Sequence, residues 1–201
     1  MKKWRCTVCG YIHNGDSPPE NCPVCNATSD KFEEIIEAQA EGHSPGKDKG
    51  SLLMQGYGFI AEEMYKNHAH PISVHFPNGV LPAAVIFILL AILLNNQGLA
   101  LAGFYNLLFV VITMPVVLLS GYISWQKRYQ GATTKTFTTK IICAAICTVT
   151  AGGLLSWRLV DPNVMGPDSA GKWLFVLGAM IMLATAGLAG HLGGKLVFDN
   201  R

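Results

Sequence analysis

The sequence predicts a small, charged, cysteine-bearing module joined to an all-α bundle of four transmembrane helices. Three observations carry that division. Half of the 201 residues are hydrophobic and only 14% are charged, an apolar balance for a soluble chain. No Asp, Glu, Lys or Arg occurs from Asn67 to Gln126, an uncharged run of about 60 residues where about 20 cross a bilayer once. Four of the six cysteines stand near the start as two close pairs, Cys6 with Cys9 and Cys22 with Cys25.

Residues 1–37 form the first unit. Each cysteine pair sets two thiolates at i and i+3, on a tight turn that can present both sulfurs to one ion, and two such turns complete a tetrahedron. Gly10 follows Cys9, where a positive φ lets the backbone fold around the ion and aim its N–H groups at sulfur. Asn26 holds the equivalent place after Cys25, and asparagine is the next most tolerant residue there. In a reducing compartment such pairs point to metal rather than to disulfides. Sulfur tetrahedra suit zinc and iron alike, so the spacing alone leaves the metal open.

Lys3-Trp4-Arg5-Cys6-Thr7-Val8-Cys9-Gly10-Tyr11, Cys22-Pro23-Val24-Cys25-Asn26-Ala27 and Asp30-Lys31-Phe32-Glu33 resemble a rubredoxin domain of the short kind found in rubrerythrins. The resemblance implies a small rubredoxin-like β domain. It further implies that Cys6, Cys9, Cys22 and Cys25 hold one iron cycling between ferric and ferrous, beside an aromatic core of Trp4, Tyr11 and Phe32. The chain departs from free-standing rubredoxins in the short interval between the two cysteine turns and in Asn26 where glycine is usual. It has no Glu-x-x-His pair, so the di-iron bundle of a rubrerythrin is not expected.

Residues 38–51 include Glu41-Gly42-His43-Ser44-Pro45-Gly46, polar and glycine-rich, and read as a flexible linker. In 52–67, Leu53, Tyr57, Ile60 and Met64 recur at helical spacing, which predicts an amphipathic helix lying at the membrane interface or packed on other protein. The transmembrane domain occupies 68–201, with spans near 72–95, 99–125, 139–160 and 172–194. Pro115 should kink the second span. Trp157 and Trp173 mark one interface, Tyr122 and Trp125 the other.

Loop charge predicts the orientation. Lys127, Arg128, Lys135 and Lys140 flank the connection between the second and third spans, with Lys195 and Arg201 after the fourth. Arg158 and Lys172 on the opposite face are offset by Asp161 and Asp168. Both termini and the cysteine module are therefore expected at the cytoplasmic face of an inner membrane. Met1-Lys2-Lys3 leads into Trp4-Arg5-Cys6 rather than an apolar stretch, so no secretory signal is read there.

The first span opens with His70-Pro71-Ile72-Ser73-Val74-His75-Phe76-Pro77 and the last closes with Gly190-His191-Leu192-Gly193-Gly194. His75 and His191 fall at similar depth, where a pair of imidazoles could serve a b-type haem as axial ligands, with Gly187, Gly190 and Gly194 leaving room for a flat macrocycle. The alternative is that these histidines cap helices or meet headgroups and that Gly190 and Gly194 make a helix contact. His13, His43 and His68 read as solvated, and Cys143 with Cys147 as packing residues. The His-Pro-x-x-Val-His-Phe-Pro opening, Gly121-Tyr122-x-x-Trp125 and the closing His-Leu-Gly-Gly resemble a family of predicted four-helix membrane proteins of unassigned function.

The net charge of +2, without a basic stripe interleaved with aromatics, argues against nucleic acid. The leading expectation is one-electron transfer from a cytoplasmic redox donor to a membrane redox acceptor: haem, quinone or a neighbouring complex. The alternatives are a zinc ribbon for protein contact on a membrane scaffold or small transporter, and a membrane oxidoreductase with its own substrate.

Overall fold

The computed structural model describes residues 2–35 and 52–198, so the expected linker lies outside the described residues. In the first part, β1 (Lys2–Cys6), β2 (Ile12–Gly15) and β3 (Phe32–Glu34) form an antiparallel sheet in the order β2-β1-β3. The register sets Arg5 against Ile12 and Cys6 against Phe32. One turn of 3-10 helix over Ser29–Lys31 returns the chain to β1, held by Thr7 N–H donating to the Lys31 carbonyl at 2.8 Å. So short a sheet has little apolar area of its own, and the cysteines supply much of the interior.

Among the described residues five helices follow: α1 (Leu52–Lys66), α2 (Ala69–Leu93), α3 (Gln97–Tyr129), α4 (Lys135–Val160) and α5 (Lys172–Phe198). The last four are long and apolar enough to cross a membrane. α2 begins before the expected Ile72 because Pro71 sits in its first turn, where a backbone N–H has no helical partner to lose. α3 continues past Trp125 to Tyr129 and stops where Gln130 and Gly131 take φ of 53° and 67°. The helix runs through Pro115.

The bundle packs as two hairpins, α2 with α3 and α4 with α5, closed by α2 against α5 and α3 against α4. Leu81, Val85 and Ile88 meet Leu107, Val110, Ala151, Leu154, Phe175 and Met182 in the buried core. Small residues set the approach: a Cβ on Gly103 would lie 3.1 Å from Ile88 Cγ1, and one on Gly178 2.9 Å from Leu154 Cδ2. Outward residues such as Ile112 and Val149 are 64% and 75% exposed, which fits a lipid surround rather than water. Trp157 stacks edge-on against Phe175 at one end, and Tyr122 meets Trp125 near the other.

α1 packs on α3 and α2. Ala61 is buried in that contact, Glu62 pairs with Lys127, and Lys127 Nζ lies 5.7 Å over the Tyr65 ring. Phe59 and Ile60 remain exposed on the outer side, so the helix is both packed on protein and apolar outward.

A second buried cluster joins the two parts. Cys6, Cys9, Cys22, Cys25, Val8, Val24 and Phe32 pack together with Tyr129, Phe137 and Leu196, and Trp125 and Ala132 border them. The cysteine module thus sits at the end of the bundle that carries the α3–α4 connection and the close of α5. These are the segments that the charge pattern placed on one face.

Candidate metal centre

Two short turns build the site, related by a near-repeat of their hydrogen bonds. In the first, Gly10 N–H donates to the Cys6 carbonyl at 2.8 Å and Cys6 N–H to the Tyr11 carbonyl at 2.8 Å. In the second, Asn26 N–H donates to the Cys22 carbonyl at 2.8 Å and Cys22 N–H to the Ala27 carbonyl at 2.7 Å. Gly10 adopts φ 82° and Asn26 φ 60°, the left-handed turns that the sequence predicted. A Cβ on Gly10 would meet nothing within 4 Å, so its backbone angle rather than lack of space favours glycine there.

These turns bring the four Sγ atoms within 4.8 Å of one another. Cys6 and Cys25 sulfurs are 3.7 Å apart, Cys9 and Cys22 sulfurs 3.6 Å. Cys6, Cys22 and Cys25 are at most 1% exposed and Cys9 8%. Backbone N–H groups favour the thiolate at every position: Cys9 toward Cys6, Tyr11 toward Cys9, Cys25 toward Cys22 and Ala27 toward Cys25. Hydrogen bonds from Cys25, then Cys6 and Cys9, push Cys22 well below the ordinary thiol range. Cys9, bonded first to Cys22 and then to Cys25, is pushed well above it. Four sulfurs so close relieve one another's charge by sharing protons, and a cation that replaces those protons fits the donor set. Phe32 is buried beside the cage, Trp4 and Tyr11 are partly buried against it, and Trp4 Nε1–H donates to the Gly15 carbonyl at 3.2 Å.

Residues 4–33 match the rubredoxin-like domain of rubrerythrins, and residues 66–201 match a predicted membrane protein family, DUF2231. The second match covers more than half of the chain. The chain belongs to the DUF2231 family. In this DUF2231 protein a rubrerythrin-type rubredoxin domain precedes the membrane bundle. The chain is 51% identical over 53 residues to reverse rubrerythrin-1 of Clostridium acetobutylicum, covering 25% of this chain and 29% of that protein. It is 52% identical over 31 residues to rubrerythrin of Nitratidesulfovibrio vulgaris, covering 15% and 16%. It therefore spans under a third of either relative's length. No solved structure matches. A rubredoxin-like four-cysteine site on a membrane protein indicates a metal-binding, redox-linked role.

The histidines separate into different settings. His75 and His191 both lie in membrane-spanning helices, on α2 and α5, and both are exposed at the bundle surface. His191 borders a cavity of about 280 Å³ between these helices, lined also by Pro77, Asn78, Pro82, Gly187 and Gly190; His75 is not among its lining residues. His70, the shallower histidine by sequence, is instead partly buried, with Nδ1 3.2 Å from Ser120 Oγ and Ser73 Oγ 3.0 Å from the same hydroxyl. A Cβ on Gly121 would come 3.0 Å from the His70 ring, so this glycine makes the space for it. Cys143 and Cys147 are buried along α4.

Sequence reasoning did not single out Asn78 or the Ser73–Ser120 pair. The signal available was a lone polar residue inside an apolar span, which a bundle tolerates only where it finds a partner.

Proposed function

We propose that this chain is a membrane-tethered one-electron carrier whose Cys6, Cys9, Cys22 and Cys25 hold one iron. The observation that supports iron is the match of the whole cysteine module to a rubrerythrin-type domain, together with the two turns that turn N–H groups toward sulfur. When bound, the iron supplies a ferric–ferrous couple with little change in geometry. The chain's part is to hold four thiolates in a nearly dry cage, shed the charge of the site onto backbone N–H groups and exclude water with Val8, Val24 and Phe32.

A cytoplasmic redox donor reaches the module from the water side, and the acceptor lies in the membrane. In this reading both termini are cytoplasmic and the membrane is the inner one. Its support is the basic Lys127, Arg128 and Lys135 at the end where the module packs. The acceptor is a haem ligated by His75 and His191, a quinone, or a partner complex. α1 lies along the interface as the module's membrane-side anchor.

An oxidised-minus-reduced visible spectrum of detergent-purified protein, with iron and zinc analysis, tests this. Ferric-thiolate bands that bleach on reduction, at one iron per chain, are expected. A colourless protein with stoichiometric zinc overturns the redox reading and leaves an interaction module on a membrane scaffold. A Soret band lost in both His75→Ala and His191→Ala would assign the acceptor as haem.

A further inference from the structure

The cavity beside His191 has an uncommon lining for a bilayer-spanning bundle. Three kinds of group meet there. Pro77, Leu81, Pro82, Leu183, Ala186 and the glycines make apolar, side-chain-poor walls. His191 and Asn78 place an imidazole and a carboxamide at its edge. The third group is backbone: Pro82 has no amide hydrogen, so the Asn78 carbonyl lacks its ordinary i+4 donor inside α2. In hydrocarbon such a polar backbone group needs a partner. The Asn78 amide lies against α5 at Gly190, where a Cβ would be in ordinary van der Waals contact with Asn78 Nδ2 at 3.6 Å.

We propose that this cavity binds the headgroup of a membrane quinone, with the isoprenoid tail left in the lipid. The proposal rests on the electron-carrier reading for its redox role but not for binding itself. Size selects a headgroup: pockets for whole drug-sized ligands run from about 300 to 1,000 Å³, and this one holds about 280 Å³. That volume suits one ring or two fused rings rather than a macrocycle. Chemistry selects a quinone, because the flat apolar ring fits between glycines while its carbonyl accepts from Asn78 Nδ2–H or the His191 ring N–H. The reduced form donates a hydroxyl to Asn78 Oδ1, the acceptor of the same carboxamide, so both oxidation states find a partner.

Position selects a redox ligand. Leu196 on α5 packs in the cluster that contains the four cysteines, and His191 is five residues further in, about 7.5 Å along the helix axis. An iron held by Cys6, Cys9, Cys22 and Cys25 would supply one electron at a time, so two turnovers, each drawing an electron from a soluble one-electron donor of the flavoprotein or ferredoxin class, would supply two electrons. With two protons from water at the adjacent membrane face they convert the quinone to the hydroquinone.

The test is equilibrium binding of a short-tailed ubiquinone and a short-tailed menaquinone to the full chain in detergent. Gly187 is the informative position, because it lines the cavity while a Cβ there would meet nothing within 4 Å. Gly187→Leu starts from an unobstructed Cβ and adds bulk to the cavity wall, and should weaken binding at least tenfold. His191→Leu and Asn78→Leu should each weaken it about five- to tenfold, as loss of one hydrogen bond does. Thermal melting and the cysteine-site spectrum should be unchanged in all three. No saturable binding of either quinone, or Gly187→Leu binding as tightly as the parent, overturns the proposal, as does a Soret band that disappears in Gly187→Leu. Quinone binding to a colourless zinc form would sink the electron-carrier reading while leaving the cavity assignment standing.

Discussion

Asn26 carries a φ of 60° in the turn after Cys25, where its counterpart Gly10 carries 82°. Left-handed backbone costs most L-residues about 1–2 kcal/mol and asparagine less. Asn26→Gly should therefore hold metal as well as the parent, with a melting transition equal or slightly higher. Asn26→Val should lose about 1–2 kcal/mol of holo-protein stability through the same term, read by denaturant titration at the visible band. Cys22→Ser removes a thiolate that its neighbours' hydrogen bonds stabilise, and elemental analysis should show bound metal well under half an equivalent per chain. The cage was legible in the sequence because everything that makes it is local: i and i+3 spacing, a following Gly or Asn, an aromatic near each turn. The histidines were not. Depth could be counted along the chain, but whether His70 or His75 turns inward depends on which face of α2 meets α3. The buried Ser73–Ser120 contact and the space at Gly121 decide that in favour of His70.

Helix existence was read correctly because an uncharged run of that length admits few other structures in a bilayer. Helix ends were less legible. Pro71 proved compatible with a first turn, and the close of α3 waited for the left-handed Gln130 and Gly131 rather than for the first charge at Lys127. Contact between helices is where substitutions should act. Gly103→Leu has no room beside Ile88 in α2. It should separate the α2–α3 hairpin and cost about 1–3 kcal/mol, as overpacking does, seen as earlier thermal unfolding in detergent. Between α1 and α3, the Lys127 ammonium beside Glu62 holds that carboxyl below its usual range. The folded value is depressed, so the pair's contribution is present above the ordinary carboxylate pKa and lost as pH falls through the lowered one. Both groups are solvent-accessible, so the effect is small. Amide-exchange protection in α1, taken relative to the intrinsic rate at each pH, should fall on acidification in the parent but stay low and flat in Lys127→Met.

For the whole molecule, the seating of the cysteine module on Tyr129, Phe137 and Leu196 was not foreseen. The sequence offered only a polar linker and no indication of what the module meets. The floor is apolar and aromatic, with the Tyr129 and Phe137 rings 4.8 Å apart. Burial of one such ring is worth about 1.5–3 kcal/mol, so Phe137→Ser should shift the seated population by tenfold or more. Limited proteolysis and amide exchange of residues 2–35 should report that release, with the visible spectrum of the cage retained.

That seating also fixes an order of events during synthesis. The cysteine module is made before the bundle, and Leu196, part of the floor beneath it, lies about 160 residues beyond Phe32. At about 5–20 residues per second the interval is roughly ten to thirty seconds. Throughout it the platform lacks Leu196, although Tyr129 and Phe137 are already made before it ends. The four cysteines are therefore open to an ion before the floor beneath them is complete.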